Sequence, residues 1–333
     1  MAESTRERVF GREAQLGQIV SAIDAPGSGV RMPVFVSGSA GMGKTSVVRV
    51  ALSRSRSGAL VAWGTCWHGA GAPGFWPWIQ VFDDLLRSVG VDAAVDAAGR
   101  DRDLLSVLVR DLGPGPDSAD PGWDRVLLLD AARRWLESVA ADRVVVLVLD
   151  DLQWADPSSL ELLGQVIATP TRAQLTVIGA YRHDELTGEV RLRLAEMVAR
   201  CDHVHLEGLG AEDVEKLVAS IRGVELASEV ARDLHLRTGG HPLFVRELAR
   251  LSDVGGGSPL PSAVTGVVER RLALMPDETR RVLDVSSVLG NHLLPDVLAA
   301  VTGRSLSTIM ELLDPAIQAG LLHVAATGEV RFS

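Results

Sequence analysis

The chain has 333 residues, 47% of them hydrophobic and 23% charged, with a formal net charge of -10. This length favours two or three domains with a sizeable core, and the acidic balance argues against a general binder of phosphate backbones, which needs a basic face. The opening MAESTRER has no apolar h-region, the longest aliphatic run, Val144–Leu149, is too short to span a bilayer, and Cys66 and Cys201 lack metal-type spacing. These features point to the reducing cytoplasm, two buried or inert thiols and no membrane partner.

From Glu13 to Ile23 the residues Leu16, Ile19, Val20 and Ile23 recur at i, i+3, i+4, i+7, one face of an amphipathic helix that APGSG then breaks. PVFVSG from Pro33 reads as a buried strand, followed by a glycine loop and a helix from Lys44 to Ser53. Four further strand-like runs begin at Ala59, Arg143, Gln174 and His203, with helical patterns at Trp78–Val89, Trp123–Ala140 and Pro157–Ile167. Strands alternating with helices predict an α/β domain over the first 205 or so residues, with a parallel sheet covered on both faces. After Leu209 the pattern turns helical: Ala211–Ile221, Ser228–Arg237, Pro242–Leu251, a GGGSPLPS linker from Gly255, and more helices from Ala263 to Gly320. Two short strand-like pieces around a Thr-Gly turn close the chain.

GSAGMGKT, Gly38 to Thr45, fits the phosphate-loop pattern G-x-x-x-x-G-K-[ST] at every fixed position, between a predicted strand and a predicted helix. Gly38, Ser39, Ala40, Gly41, Met42 and Gly43 turn backbone N–H groups around phosphates, and Ser46 follows in the first helical turn. Lys44 offsets phosphate charge, and Thr45 can ligate magnesium. The chain has 31 arginines and two lysines, Lys44 and Lys216, so one of the two lysines stands where a compact ammonium is required.

RVVVLVLDDLQWADPSSLELL, from Arg143, ends six aliphatic residues with two adjacent carboxylates, Asp150 and Asp151. A carboxylate is costly to bury unpaired, so the strand tip needs a cation, hydrogen bonds or water. In a phosphate-loop sheet the tip of a second strand faces the same magnesium, a role Asp150 fills. Asp151 is either placed to orient or deprotonate an attacking water or is a solvated loop acid. Asp156, with Pro157 at the first helical position, reads as an N-cap. Arg182 follows the strand VIGAY at the carboxyl edge of the sheet, and is either a γ-phosphate contact or a surface arginine. In TGGHPLF, from Thr238, Gly239 or Gly240 ends one helix and Pro242 starts the next. Trp63, Trp67, Trp76 and Trp78 crowd one stretch with few basic residues between them, which favours loop packing or a protein-contact surface over base stacking; His68 reads as a polar loop histidine.

Together VFGRE from Val9, GSAGMGKT, VLVLDDLQWADPSSLELL, GAYR and GGHPLF resemble the signal-transduction ATPases with numerous domains (STAND), an AAA-like class. More narrowly the chain resembles the ATPase module of large LuxR-family transcriptional regulators, and it is also similar to ATPase modules coupled to cyclase or kinase outputs. The resemblance covers nearly the whole chain. It implies a sheet of order 5-1-4-3-2 in residues 1–207, a helical lid in 208–254 and a winged-helix domain in 255–333. It places Gly11 and Arg12 near adenine or ribose, Gly240 and Pro242 against the base, and Arg182 at the γ-phosphate, with ATP or ADP and magnesium as ligands.

The function implied is a slowly hydrolysing regulatory switch that self-associates in its ATP state and answers to an inducer or protein partner. The rival is an ADP-loaded, essentially non-hydrolytic scaffold. In relatives the winged helix continues past an RFS-like strand, whereas this chain stops at Ser333, so a truncated winged helix without the helix-turn-helix is expected. From Gly256 onward six arginines face eight acids, so this part is expected to bind no DNA.

Overall fold

The computed structural model describes residues 8–25, 32–67, 73–113, 125–169, 171–224, 227–250, 272, 275–288, 292–318, 321–324 and 330–332. The linker from Gly255, the start of the helical region at Ala263, and His68 lie outside them. The chain divides into two compact units, Met1–Gly38 with Lys44–Leu206, and Ser39–Gly43 with Glu207–Ser333.

The first unit is built on five parallel strands, β1 (Val34–Ser37), β2 (Leu60–Thr65), β3 (Val145–Asp150), β4 (Leu175–Tyr181) and β5 (Asp202–His205). Their order is β2-β3-β4-β1-β5, which read from the other edge runs 5-1-4-3-2. Every residue of β1, β3 and β4 is buried, which explains their unbroken apolar runs: a strand covered on both faces has no polar side to alternate. The helices are α1 (Glu13–Ile23), α2 (Lys44–Arg54), α3 (Trp76–Val89), α4 (Val91–Ala98), α5 (Arg102–Leu105), α6 (Arg125–Val139), α7 (Pro157–Ala168) and α8 (Gly188–Val198). α1 buries Leu16, Ile19 and Ile23, the face its periodicity predicts. Asp156 caps α7 as expected, accepting hydrogen bonds from the backbone N–H groups of Ser158 and Ser159, both at 3.0 Å.

One expectation needs correction. Trp78 lies in the predicted helix, but it is buried in the core, its Nε1 donating to the carbonyl of Ser159 at 3.0 Å, and so serves neither loop packing nor a contact surface. Trp67 alone of the four is largely exposed, edge-on to Trp76 at 6.4 Å. Cys66 is buried, with its thiol pushed well up by desolvation and neighbouring acids, whereas Cys201 is only partly buried.

In the second unit α9 (Ala211–Arg222), α10 (Ser228–Thr238) and α11 (Pro242–Arg250) pack through Val214, Leu217, Val218, Ala231, Leu234, Val245 and Leu248. Gly239 ends α10 in the left-handed region, and Pro242 opens α11. A separate core of Val282, Leu283, Leu298, Ile309, Leu313 and Leu322 joins α12 (Asp277–Val288), α13 (Pro295–Thr302) and α14 (Leu306–Gln318) to an antiparallel sheet of β6 (His292–Leu293), β8 (Val330–Phe332) and β7 (Leu322–Val324), in that order. The two closing strands are the pieces predicted around the Thr-Gly turn. Among the described residues no helix is long and apolar enough to cross a membrane.

Candidate nucleotide-binding site

The carboxyl edge of the parallel sheet carries the charged residues that the sequence singles out. β1 ends at Ser37 and the phosphate loop follows; α2 begins at Lys44, so the helix N-terminus lies at the end of the loop. Lys44 is 6% exposed and its Nζ donates to the carbonyl of Gly38 at 2.8 Å, folding the ammonium back over the loop. Burial first, and then the Arg182 guanidinium, lower this ammonium to about 8, against the opposing pull of Asp151, Asp184 and Asp150. Lys44 at the start of α2 and Arg182 after β4 thus carry like charges whose repulsion an anion would relieve.

Asp150 closes β3 and is 6% exposed. Its Oδ2 accepts from Thr45 Oγ1 at 2.8 Å and its Oδ1 from the N–H of Asp151 at 2.9 Å. Desolvation raises this carboxyl above the ordinary carboxylate value, with the Thr45 hydrogen bond opposing. Asp151 stands at φ 56, ψ 42, a left-handed conformation that L-residues adopt at a cost of about 1–2 kcal/mol. The turn ends the extended run of β3 and starts a short 3-10 turn, Leu152–Trp154. Asp151 is part-buried and engaged: its Oδ1 accepts from Gln153 Nε2 at 2.9 Å and lies 3.6 Å from Arg182 Nε. Arg182 is not a free surface arginine. Its Nη1 donates to Glu185 Oε1 at 2.7 Å, its guanidinium lies over the Trp154 ring at 4.7 Å from the centroid, and its N–H donates to Gln153 Oε1 at 3.0 Å.

In the second unit the loop residues Ser39–Gly43 meet the start of α11. His241 Nε2 lies 2.8 Å from the carbonyl of Ala40, and since a carbonyl only accepts, Nε2 carries the proton. Gly41, at φ 81, admits no side chain: a Cβ there would stand 2.7 Å from His241 Cε1 and 2.9 Å from Leu243 Cβ. Gly240 is equally constrained, since a Cβ would fall 2.0 Å from the carbonyl oxygen of Leu209. Met42 donates its N–H to Ser39 at 3.3 Å, closing the turn of the loop. Pro242 is the first residue of α11 and Gly240 lies two residues before it. In the first unit Gly11, at φ 64, and the buried Arg12 precede α1, and Ser46 sits in the first turn of α2.

A family model described as the AAA ATPase domain matches residues 8–178, just over half of the chain. The chain belongs to the AAA ATPase domain family. This AAA module is 25% identical over 342 residues to an uncharacterised protein of Rhizobium meliloti (strain 1021), an alignment covering 91% of the chain and 32% of that protein. It thus spans about a third of the length of the curated relative it matches. Among solved structures, the ORC2 protein of Aeropyrum pernix, determined in ADPNP and ADP complexes, aligns over 98% of this chain and 90% of its own, with 12% identity and a TM-score of 0.57. That likeness shows a shared fold. A STAND protein with a tetratricopeptide repeat sensor from Pyrococcus horikoshii aligns over 99% of this chain and 43% of its own, with 17% identity and a TM-score of 0.46.

The AAA module's donor set suits a hard divalent cation. Thr45 Oγ1 and Asp150 Oδ2 are adjacent oxygens at the helix N-terminus, and magnesium takes one or two carboxylates beside phosphate oxygens and water rather than a full protein cage. Among the described residues no group of three or more His, Cys, Asp or Glu forms such a cage. Sequence reasoning missed Gln153, Trp154, Glu185 and His241. The first two sit within the quoted QWADP stretch, but an amide and an indole on a loop carry no signal until the strand register places them beside Arg182.

Proposed function

We propose that this AAA module is a magnesium-dependent ATPase that binds ATP and hydrolyses it slowly, and that it serves as the regulatory switch of a larger signalling or transcriptional regulator of the STAND, LuxR-like kind. The observation that carries this reading is the junction of Thr45 with Asp150 beside the tethered pair Asp151 and Arg182, on a sheet edge that also bears Lys44. In this reading the loop N–H groups from Gly38 to Gly43, with Lys44, Thr45 and Ser46, cradle the β- and γ-phosphates. Thr45 and Asp150 would hold magnesium, which when bound would offset phosphate charge. Asp151 takes the proton of the attacking water as the O–P bond to the γ-phosphate forms and the bond to the β-phosphate oxygen breaks. Arg182 stabilises charge on the γ-phosphate oxygens. Gly11 and Arg12 border the adenine or ribose, and Gly240 and Pro242 pack on the base.

In the same reading residues 208–254 are the lid and residues 255–333 a winged-helix-like domain, six arginines against eight acids giving it no basic face for DNA. The ATP state then favours self-association and answers an inducer or protein partner, in the cytoplasm. Steady-state phosphate release by the purified chain, with Lys44→Ala as control, tests the reading. Magnesium-dependent turnover that the substitution abolishes supports it; ATP affinity unchanged in a folded Lys44→Ala variant refutes it. A second reading, an ADP-loaded scaffold that hardly hydrolyses, draws on the engagement of Asp151 Oδ1 by two partners. It predicts copurified ADP and no turnover above background.

A further inference from the structure

Gln153 stands two residues beyond the left-handed Asp151, in the 3-10 turn after β3, and is 5% exposed. Its amide is used at both ends. Oε1 accepts the backbone N–H of Arg182 at 3.0 Å, and Nε2 donates to Asp151 Oδ1 at 2.9 Å. The orientation of the amide follows from its partners, because a backbone N–H only donates and an ionised carboxylate only accepts. One neutral side chain thus spans from the turn after β3 to the end of β4, joining a carboxylate on one to the backbone of the other.

We infer that Gln153 is a positioning residue for hydrolysis, tying the Asp151 carboxylate to the tip of β4 that carries Arg182. The inference rests on the reading of Asp151 as the base and adds the group that aims it. Asp151 Oδ1 is engaged twice, by Gln153 Nε2 at 2.9 Å and by Arg182 Nε at 3.6 Å. Holding that oxygen fixes the plane of the carboxylate and leaves the lone pairs of Oδ2 to take the water's proton. The fork is bound to its chemistry: a glutamate keeps the acceptor toward Arg182 but loses the donor toward Asp151, and methionine keeps the length and loses both. General-base catalysis depends on placement within hydrogen-bond reach of the proton, so a loosened carboxylate costs rate rather than nucleotide affinity.

The test is single-turnover hydrolysis and ATP affinity for the chain carrying Gln153→Met, Asp151→Asn, or both, with turnover expressed per ATP-binding site. Gln153→Met is expected to slow hydrolysis roughly 10–100-fold with ATP affinity within about twofold. In the Asp151→Asn background it is expected to slow the residual rate by no more than about twofold, because its effect passes through the group already removed. A residue that only supports the fold would lower affinity along with rate and slow both backgrounds equally, and that outcome overturns the inference. Turnover by Gln153→Met at the unmodified rate, beside an inactive Asp151→Asn, also overturns it while leaving Asp151 as the base. Unmodified turnover by Asp151→Asn overturns the base reading, and the positioning role with it. Should Gln153→Met fail to fold, Gln153→Glu carries the same comparison, with the same outcomes deciding.

Discussion

Asp150→Asn separates the two things the strand tip does, because it removes a charge and almost nothing else. The carboxylate is 6% exposed, and burial raises its pKa, so ionised Asp150 is an electrostatic burden on the nucleotide-free protein. An asparagine there keeps one acceptor for the N–H of Asp151, and Thr45 can turn its hydroxyl to accept from the new amide. The net hydrogen-bonding loss is then about 1 kcal/mol or less, offset in part by relief of the buried charge. Nucleotide-free stability should change by no more than about 1 kcal/mol, or roughly 2–4 °C in melting temperature for a unit of this size. Ligand linkage should change far more. Saturation at about 100 times the dissociation constant stabilises by about 2.7 kcal/mol, and a 100-fold weaker complex at the same concentration retains only about 0.4 kcal/mol. The assay is thermal unfolding of both proteins with no ligand, with ATP in chelator and with ATP in magnesium. The expected pattern is a large magnesium-dependent shift for the unmodified chain and nearly none for the variant, with the ligand-free curves close together. An undiminished magnesium-dependent shift in Asp150→Asn would refute the metal-side assignment, and a nucleotide-free loss above about 3 kcal/mol would make the residue structural.

Arg182→Ala should weaken ATP binding by tenfold or more while leaving ADP within about twofold, by calorimetry, because only ATP carries the γ-phosphate; equal losses would return this arginine to a structural role with Glu185 and Trp154. Gly41→Ala should lower affinity for both nucleotides at least tenfold, since its Cβ would stand 2.7 Å from His241 and the backbone holds φ 81, and unchanged binding would mean that the loop adjusts freely. His203, on the edge strand β5, has its pKa lowered below the ordinary 6.5 by desolvation and by His205, and also faces Ser37 and Tyr181. The folded state therefore binds fewer protons than the unfolded chain, so stability should fall as pH drops below about 6.5 toward the folded value, and His203→Gln should flatten that limb in pH-dependent melting.

The parallel sheet was legible because its inner strands are buried on both faces, and burial on both faces writes itself as uninterrupted aliphatic runs. The phosphate loop was legible because its residues are contiguous and their glycines serve backbone conformation. Helices α4 and α5 escaped the periodicity reading because they are short, alanine-rich or charged, and punctuated by Gly90 and Gly99. α8 escaped because it buries Leu194 alone, too little for a stripe. Strand β6 has two residues, below what alternation can register. The link from Asp151 through Gln153 to Arg182 was illegible for another reason. Its long step joins Gln153 to Arg182, 29 apart in the chain, and only the pairing of β3 with β4 brings them together. Trp78 was placed in a helix correctly, but its aromatic neighbours suggested a shared loop or contact role, whereas it belongs to the buried face of α3.

Two adjacent carboxylates at the end of an aliphatic strand are tolerable here because the fold gives each a different set of partners. Along an extended strand successive side chains point to opposite faces, and the left-handed turn at Asp151 departs from that alternation. Asp150 is turned to Thr45 at the helix N-terminus, and Asp151 to Gln153 and Arg182. Lys44 and Arg182 stand against Asp150, Asp151, Asp184 and Glu185, so the site is net negative before a polyphosphate arrives and more so afterwards. That excess is what a divalent cation beside Thr45 and Asp150 offsets, and in the proposed reading it also acts on Arg182. At 3.6 Å the Arg182–Asp151 pair is longer than a close charge-assisted hydrogen bond, whereas Glu185 holds Nη1 at 2.7 Å, so in the proposed reading a γ-phosphate displaces the Asp151 contact rather than the Glu185 one. Drawing Arg182 toward the phosphate releases one of the two holds on Asp151 Oδ1 and leaves Gln153 as the other. The acid is then freed of its cation and still aimed, which is the state a general base requires. In the proposed reading ADP has no γ-phosphate to draw the arginine away, so Asp151 remains paired and the site at rest.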